Sequence, residues 1–494
     1  LNKFCTTISS LQRQAFKINS EFLNIIINNR KLFEECGYLM PEFLSNVILH
    51  QATGILRSHF EKNKDIKTIY KFNDVFSLLI KNMQRARYEC TIIELAKAYE
   101  GYSLYFLAFM DFRVRIYRCG IFHFHERDLA PSLLLIDCKK SITNTDCNQI
   151  EKELLRKYLS ATSFLYQSYK NELEAQNSML SNIKEYMESG CEDGEFSYME
   201  CIINLVSESQ MAKRPFQYLS NSLLLIKELH KNEVYSSELF NSVPVTQDAS
   251  ASAYQLMAYF LLDNTFAKLT NLFNTGSDIF DIYSHIRIEL IDFLTNILRE
   301  ENPQLCTILD RVLTRSIVKQ IYMPIIYGKT VSSITNDLIV CLSWDILPNE
   351  CSKLAVLCFQ FWKQNYSYMD AFIQLISLVG RVCSSLERQV LYYAEYFSTS
   401  HDYHKMEKHS VRVFDSISKK SYNVTLSYPS NVRDKRKSRT STFVNFIHQK
   451  DAQIAMSMAY NASAYGIPLY TVHDNFITNT YNCDNMCNTI PRCH

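Results

Sequence analysis

The segment that most constrains this chain is Arg315–Gly328, RSIVKQIYMPIIYG. Arg315, Lys319, Met323 and Tyr327 recur every four residues, so a helix would place them along one face. Gly328 removes the side chain where that helix would end. Two cations one turn apart suit the oxygens of a triphosphate, and a Tyr two turns past Lys319 can pack on a sugar or base. A solvated Arg/Lys face with Tyr327 in a core has the same spacing. Pro324 lies inside the segment, removes one backbone donor and predicts a kink between Lys319 and Tyr327. YGKT at 327–330 is not a phosphate-loop ending, because Met323 stands where the first glycine is required.

Two acidic segments flank this one. Asp248 opens DASASAYQ (248–255), after the alternating Val243 and Val245 and before the helical run AYQLMAYFLL. Asp474 lies in YTVHDNF (470–476), where a short strand over 469–473 turns at Asn475. Both carboxylates therefore sit at strand ends. Carboxylates from two adjacent strand ends can hold two Mg²⁺ ions between them.

MDFRVRIYRCGIFHF (110–124) has a two-residue period: Arg113, Arg115 and Tyr117 alternate with Phe112, Val114 and Ile116, which predicts a half-buried strand. Asn73 or Asp74 can cap a helix whose apolar face includes Val75, Leu79, Met83, Ala86, Cys90 and Ile93, with Arg85 and Arg87 on its other side. Such a helix can track a nucleic-acid backbone, or simply face water. KRPFQYLSNSLLLIKELH (213–230) predicts a buried helix. The run 405–440 holds ten Lys/Arg against Glu407, Asp415 and Asp434, and Tyr422–Tyr428 alternates as a hairpin might. A surplus of seven charges suits phosphate contacts or a solvated loop.

His123-x-His125-Glu126 lacks a second ligand pair at useful spacing, and Cys483, Cys487, Cys493 and His494 are irregularly spaced, so neither makes a zinc pattern. The sixteen Cys are scattered along a chain of 494 residues, which reads as reduced thiols in two or three domains. No run of eighteen apolar residues would span a membrane. A net charge of +1 leaves only local clusters to argue for nucleic acid. Tyr (31) and Phe (30) far outnumber Gly and Pro (10 each), a bias that suggests an A/T-rich coding genome. LNKFCTTISS has no transit-peptide character.

The three segments, in this order, resemble motifs of the single-subunit RNA polymerases of phages, mitochondria and mitochondrial plasmids. QRQAFKIN (12–19) resembles the segment before their thumb, and Asp111, Arg113, Arg115 and Tyr117 match the Asp-aromatic-Arg-x-Arg-x-Tyr that starts their palm. His448, in NFIHQKD (445–451), matches a family histidine near the 2′-hydroxyl, and Asp451 the acid that follows it. The resemblance covers about 12–478; relatives carry a large N-terminal promoter-binding domain and a longer C-terminal palm.

What the resemblance implies is a right-hand polymerase fold, α+β and mainly helical, with a small antiparallel palm sheet. It divides the chain into a thumb region at 1–100, palm at 101–262, fingers at 263–447 with a specificity-loop-like segment at 405–440, and a second part of the palm at 448–494. Asp248, Lys319 and Asp474 would be catalytic, and the two Asp would hold two Mg²⁺. Arg315, Lys319, Tyr327, Gly328 and His448 would bind substrate. Asp111, Arg113, Arg115, Tyr117, Arg433, Lys435, Arg436, Lys437 and Arg439 would contact nucleic acid. The implied function is DNA-directed RNA synthesis, a nucleotidyltransferase reaction of transcription. Its partners are a DNA template, an RNA product, ribonucleoside triphosphates and transcription factors. The implied setting is a monomer in the mitochondrial matrix, away from any membrane. Related DNA polymerases carry Glu where this chain has Ala253, and many carry an aromatic at the position of Met323; both favour ribonucleotides. The rivals are a DNA polymerase of the same superfamily and a degenerate relative that only binds nucleic acid.

Overall fold

The computed structural model describes residues 2–62, 71–138, 147–189, 191–192, 195–196, 198–230, 237–273, 278–342, 345–417 and 419–489. It is α+β and mainly helical, with small antiparallel sheets. The chain forms two compact units. One comprises Cys5–Phe109, Tyr117–Asp248 and Met458–His494; the other comprises Leu1–Phe4, Met110–Ile116 and Ala249–Ser457. Among the described residues no helix is long and apolar enough to cross a membrane.

The first unit is built on a core of Phe16, Phe22, Ile26, Phe33, Tyr158, Leu219, Phe240 and Tyr470, all almost fully buried. Its helix Ser20–Asn28 starts at Asn19, whose side chain accepts from the Phe22 N–H. Pro215–His230 buries Tyr218, Leu219, Leu223, Leu225 and Ile226, as the pattern at 213–230 predicts. The central sheet is three-stranded and antiparallel: Tyr470–Val472 pairs with Asn475–Asn479, which pairs with Pro244–Asp248. Pro244 is tolerated because it is the first residue of an edge strand. The middle strand is buried on both faces from Phe476 to Asn479, and its register sets Asn475 opposite Asp248.

The second unit packs helices Ser252–Leu261, Ile282–Glu301, Arg315–Ile326 and Pro348–Asn365 around Leu290, Leu294, Leu298, Tyr322 and Trp362. Two buried hydroxyls are satisfied by backbone: Tyr254 donates to Tyr322 O (3.1 Å) and Tyr322 to Cys358 O (3.0 Å). Thr314 caps the helix Arg315–Ile326, and Gly328 at φ +79° ends it. Gly328 N–H bonds Ile325 O and Lys329 N–H bonds Pro324 O, the paired closure of a Schellman motif. Pro324 denies Gln320 O its helical partner, and Lys329 Nζ takes that place at 3.2 Å. Lys329 is itself paired with Asp337 of the next helix, Val331–Leu342.

Helices Ser367–Ser385 and Lys435–Ala464 meet at a glycine. A Cβ on Gly380 would lie 1.9 Å from Thr442 Oγ1 and 2.7 Å from Ser438 O. A two-stranded ribbon, His404–Asp415 with Lys420–Arg433, precedes the second of these helices. Opposite residues share a face: Val411/Val424, Val413/Tyr422 and His409/Leu426 on one, Ser410/Thr425 and Arg412/Asn423 on the other.

Several local expectations need correction. The single strand expected over 110–124 is a hairpin of Ala108–Met110 and Ile116–Arg118. The Asp111 carboxylate accepts from the Arg113 and Arg115 N–H groups (2.9 and 3.0 Å), which closes a turn inside the alternating pattern. The turn needs Val114 at φ +65°, a costly conformation for a β-branched residue. The helix expected after Asn73 or Asp74 begins at Phe72, with Lys71 at the cap and no side-chain cap bond. Arg85 bonds Glu89 and Tyr38 O, and Arg87 bonds Ser45 O and Val47 O; both tie the helix to the preceding segment. The basic run is divided: its second half, Lys435 to Arg439, opens a helix capped by Asp434, which accepts from the Lys437 N–H. Of the cysteine tail, Cys493, His494 and the Cys487 side chain lie outside the described residues.

Candidate active site

In the first unit, the sheet register brings the two acids together. Asp248 is the last residue of its strand and lies opposite Asn475; Asp474 is the neighbour of Asn475 in the turn. Opposed Cα atoms in such a ladder are about 5 Å apart. Asp248 is exposed and Asp474 half-buried. His473 takes the other place in the two-residue turn, at φ +57°. Its ring lies edge-on to Tyr117 (5.0 Å) and His125 (5.5 Å), and Tyr117 stacks on Phe109 (5.5 Å). The aromatic packing fixes the strained turn, and the turn aims Asp474. Tyr117, expected to contact nucleic acid, packs against the hairpin.

Behind the hairpin His123 and Arg118 are buried and His125 is partly so. Burial, together with the neighbouring His123, His473 and Arg118, pushes His125 down to about 3, so its ring is neutral at physiological pH. His123 is held below its usual range mainly by burial. Arg118 lies over the Tyr470 ring at 4.6 Å, and burial lowers its guanidinium pKa. Arg118 Nε, Nη1 and Nη2 find no hydrogen-bond partner of normal geometry among the described residues. His125 packs on Tyr470 and on His123, and no group of three or more His, Cys, Asp or Glu among the described residues could hold a metal.

The donor set at the sheet end suits a hard cation. Two solvent-accessible carboxylates supply oxygen, and the remaining positions around Mg²⁺ are those it fills with water and substrate phosphates. Asp248 and Asp474 would hold the ions.

In the second unit, the stripe read from the sequence exists. Arg315 and Lys319 both lie over the Tyr283 ring, at 5.8 and 5.6 Å. Lys319 and Met323 are exposed. The Arg315 fork is occupied: Nε and Nη2 donate to Asp281 at 2.5 and 2.8 Å. Burial raises the Asp281 pKa, but hydrogen bonds from Arg315 and Ser284 outweigh it and hold the carboxyl below its ordinary value. At the far end of the stripe, the Tyr327 ring lies 5.5 Å from the His448 ring. His448 Nδ1 is 2.7 Å from Arg113 Nη1. Arg115 pairs with Asp451 at 3.3 Å, and Asp451 is buried. Ala253 is buried under the same helix layer.

The basic residues expected on nucleic acid divide into two sets. Arg433 is held bidentate by Asp402 (2.8 and 2.7 Å), Arg439 bonds Gln374 (3.2 Å), and Lys437 lies over the Tyr403 ring (4.9 Å). Lys435 and Arg436 are exposed on the first turn of their helix. Sequence reasoning missed Asp281, Tyr283, Arg118 and Asp402. Asp281 carries a signal, as an N-cap before Ser284, but one that announces a helix start rather than a partner for Arg315.

Comparison with known proteins fits this arrangement. The family description "DNA-dependent RNA polymerase" matches residues 176–358 and 383–493. The chain belongs to that family. A probable DNA-directed RNA polymerase of Zea mays is 31% identical over 503 residues, covering 96% of this chain and 44% of that protein. Another from Agaricus bitorquis is 24% identical over 523 residues, covering 97% of this chain and 42% of that protein. The chain thus spans less than half the length of these relatives.

Proposed function

We propose that this chain carries the catalytic part of a DNA-directed RNA polymerase that extends RNA from ribonucleoside triphosphates on a DNA template. In this reading the first unit supplies thumb and palm, and the second the fingers. The observation that carries it is the register of the small sheet, which sets Asp474 beside the partner of Asp248. In the reaction the RNA 3′-oxygen attacks the α-phosphorus. A new P–O bond forms, the bond to the β-phosphate breaks, and pyrophosphate leaves; the hydroxyl proton passes to solvent. Two Mg²⁺ ions held by Asp248 and Asp474 would lower the pKa of that hydroxyl and neutralise the departing pyrophosphate.

The chain's own groups act by position and charge. Lys319 would meet the triphosphate and protonate the leaving group. Arg315 would exchange its fork from Asp281 to the β- and γ-phosphates, a swap of one bidentate oxyanion for another. Tyr327 and His448 would frame the sugar, with Gly328 leaving room beside them. Lys435 and Arg436 would meet nucleic-acid phosphate through their exposed charge. A mitochondrial setting is supported by the coding bias alone, and transcription factors remain the natural partners for promoter choice.

Primer extension tests the reading. Asp474→Asn should lower incorporation roughly a hundredfold or more, on the order of 3 kcal/mol of barrier. Unchanged incorporation would remove Asp474 from the chemistry, and a preference of the parent protein for deoxyribonucleotides would favour the DNA-polymerase alternative.

A further inference from the structure

Arg113 was expected on nucleic acid, but its fork is committed within its own unit. Nε and Nη2 donate to Asp111 Oδ2 at 2.8 and 2.6 Å, and Nη1 lies 2.7 Å from His448 Nδ1. The other oxygen of Asp111 accepts from the backbone N–H of Arg113 and of Arg115. Four bonds thus fix one carboxylate. That carboxylate fixes the guanidinium, and the guanidinium addresses one nitrogen of one imidazole.

The chemistry of that last contact has a single solution. A guanidinium has donors only. His448 Nδ1 must then present its lone pair, and the ring proton sits on Nε2. Protonating both nitrogens would set N–H against N–H, so the contact also opposes the imidazolium. The proton is then carried at Nε2 of a ring that lies against Tyr327. Arg115 does not duplicate this arrangement, because it turns to Asp451.

We infer that Arg113 is a positioning residue that holds His448 in its Nε2–H form, so that the imidazole donates to a ribose hydroxyl of a nucleotide lying against Tyr327. The inference rests on the nucleotide reading of this face given above. A 2′-hydroxyl accepts the bond; a 2′-deoxy sugar leaves the N–H facing carbon, and a desolvated donor without a partner is costly. Discrimination between the sugars then depends on a residue that never touches them.

Two measurements on the full chain test this. The first is the ¹⁵N spectrum of histidine-labelled protein, with His448→Gln to assign the signal. The parent should show Nε2 protonated and Nδ1 with a bare lone pair, and Arg113→Met should give a mixture of tautomers. The second is the ratio of Kd values for ATP and dATP. Arg113→Met should shrink the preference for ATP by about tenfold, the scale of one hydrogen bond. In a His448→Gln background, where an amide donates without help, Arg113→Met should leave the ratio unmoved. Should Arg113→Met fold poorly, Asp111→Asn, which frees the guanidinium without removing it, is read in the same two assays. A parent ring protonated on Nδ1 overturns the inference. So does an unchanged ATP/dATP ratio in Arg113→Met while both nucleotides bind. A parent that shows the expected tautomer but binds neither nucleotide overturns the nucleotide reading instead.

Discussion

Gly380 offers a test in which two effects have opposite sign. It lies inside the helix Ser367–Ser385, where Gly→Ala ordinarily stabilises by about 1 kcal/mol. The added Cβ would stand 1.9 Å from Thr442 Oγ1, against an ordinary contact of roughly 3.5 Å, so about 1.5 Å must open. Thr442 cannot simply swing aside: it is buried, and its hydroxyl donates to Ser438 O at 2.6 Å. Ser438 O is backbone and would itself be 2.7 Å from the new carbon. Overpacking costs about 1–3 kcal/mol, and a clash with backbone belongs at the upper end, so Gly380→Ala should destabilise by about 2 kcal/mol net. The double variant Gly380→Ala/Thr442→Ala should recover only part, since the Ser438 contact remains. The two units need not unfold together, so the measurement is amide exchange in segments 367–385 and 435–449 rather than one melting midpoint. Faster exchange in both segments is expected. Unchanged or slower exchange would mean that the helices do not approach as described, and the placement of His448, six residues beyond Thr442 on the same helix, would lose its support.

Two further predictions follow from charges. Arg118→Met should be neutral or should raise the melting temperature of the first unit, because a buried guanidinium lying over the Tyr470 ring, with no ion pair among the described residues, is replaced by apolar volume; a clear loss of stability would reveal a missing counter-charge. Asp281 has a depressed folded-state pKa, so its contribution is present above the ordinary carboxyl value of about 4 and is lost as pH falls through the folded one. Acid titration of stability should therefore steepen below about pH 4, and Asp281→Asn should flatten that limb; an identical limb in the variant would remove the pair from the account.

The sequence exposed what depends on local spacing. The four-residue stripe became a helix with Gly328 at its end because cap, period and terminator agree within one segment. The strand into Asp248 was legible for the same reason. The contents of 110–118 were not, since the period of two is genuine but one carboxylate overrides it by taking two backbone donors. Partners far apart along the chain were the least legible: Asp281 is 34 residues from Arg315, Asp402 is 31 from Arg433, and Arg113 is 335 from His448. Charge alone marks such residues as surface or phosphate-seeking; only folding reveals that an acid has already claimed them.

The lysine past the end of the Arg315–Ile326 helix has a wider consequence. By bridging Gln320 O and Asp337, Lys329 clasps the final turn to a neighbouring helix. The backbone turn that carries Tyr327 is thus tied down by an ammonium group two positions downstream. Acetylating that amine would unfasten the clasp and leave the Tyr327 ring on a looser turn, with the ring itself unchanged.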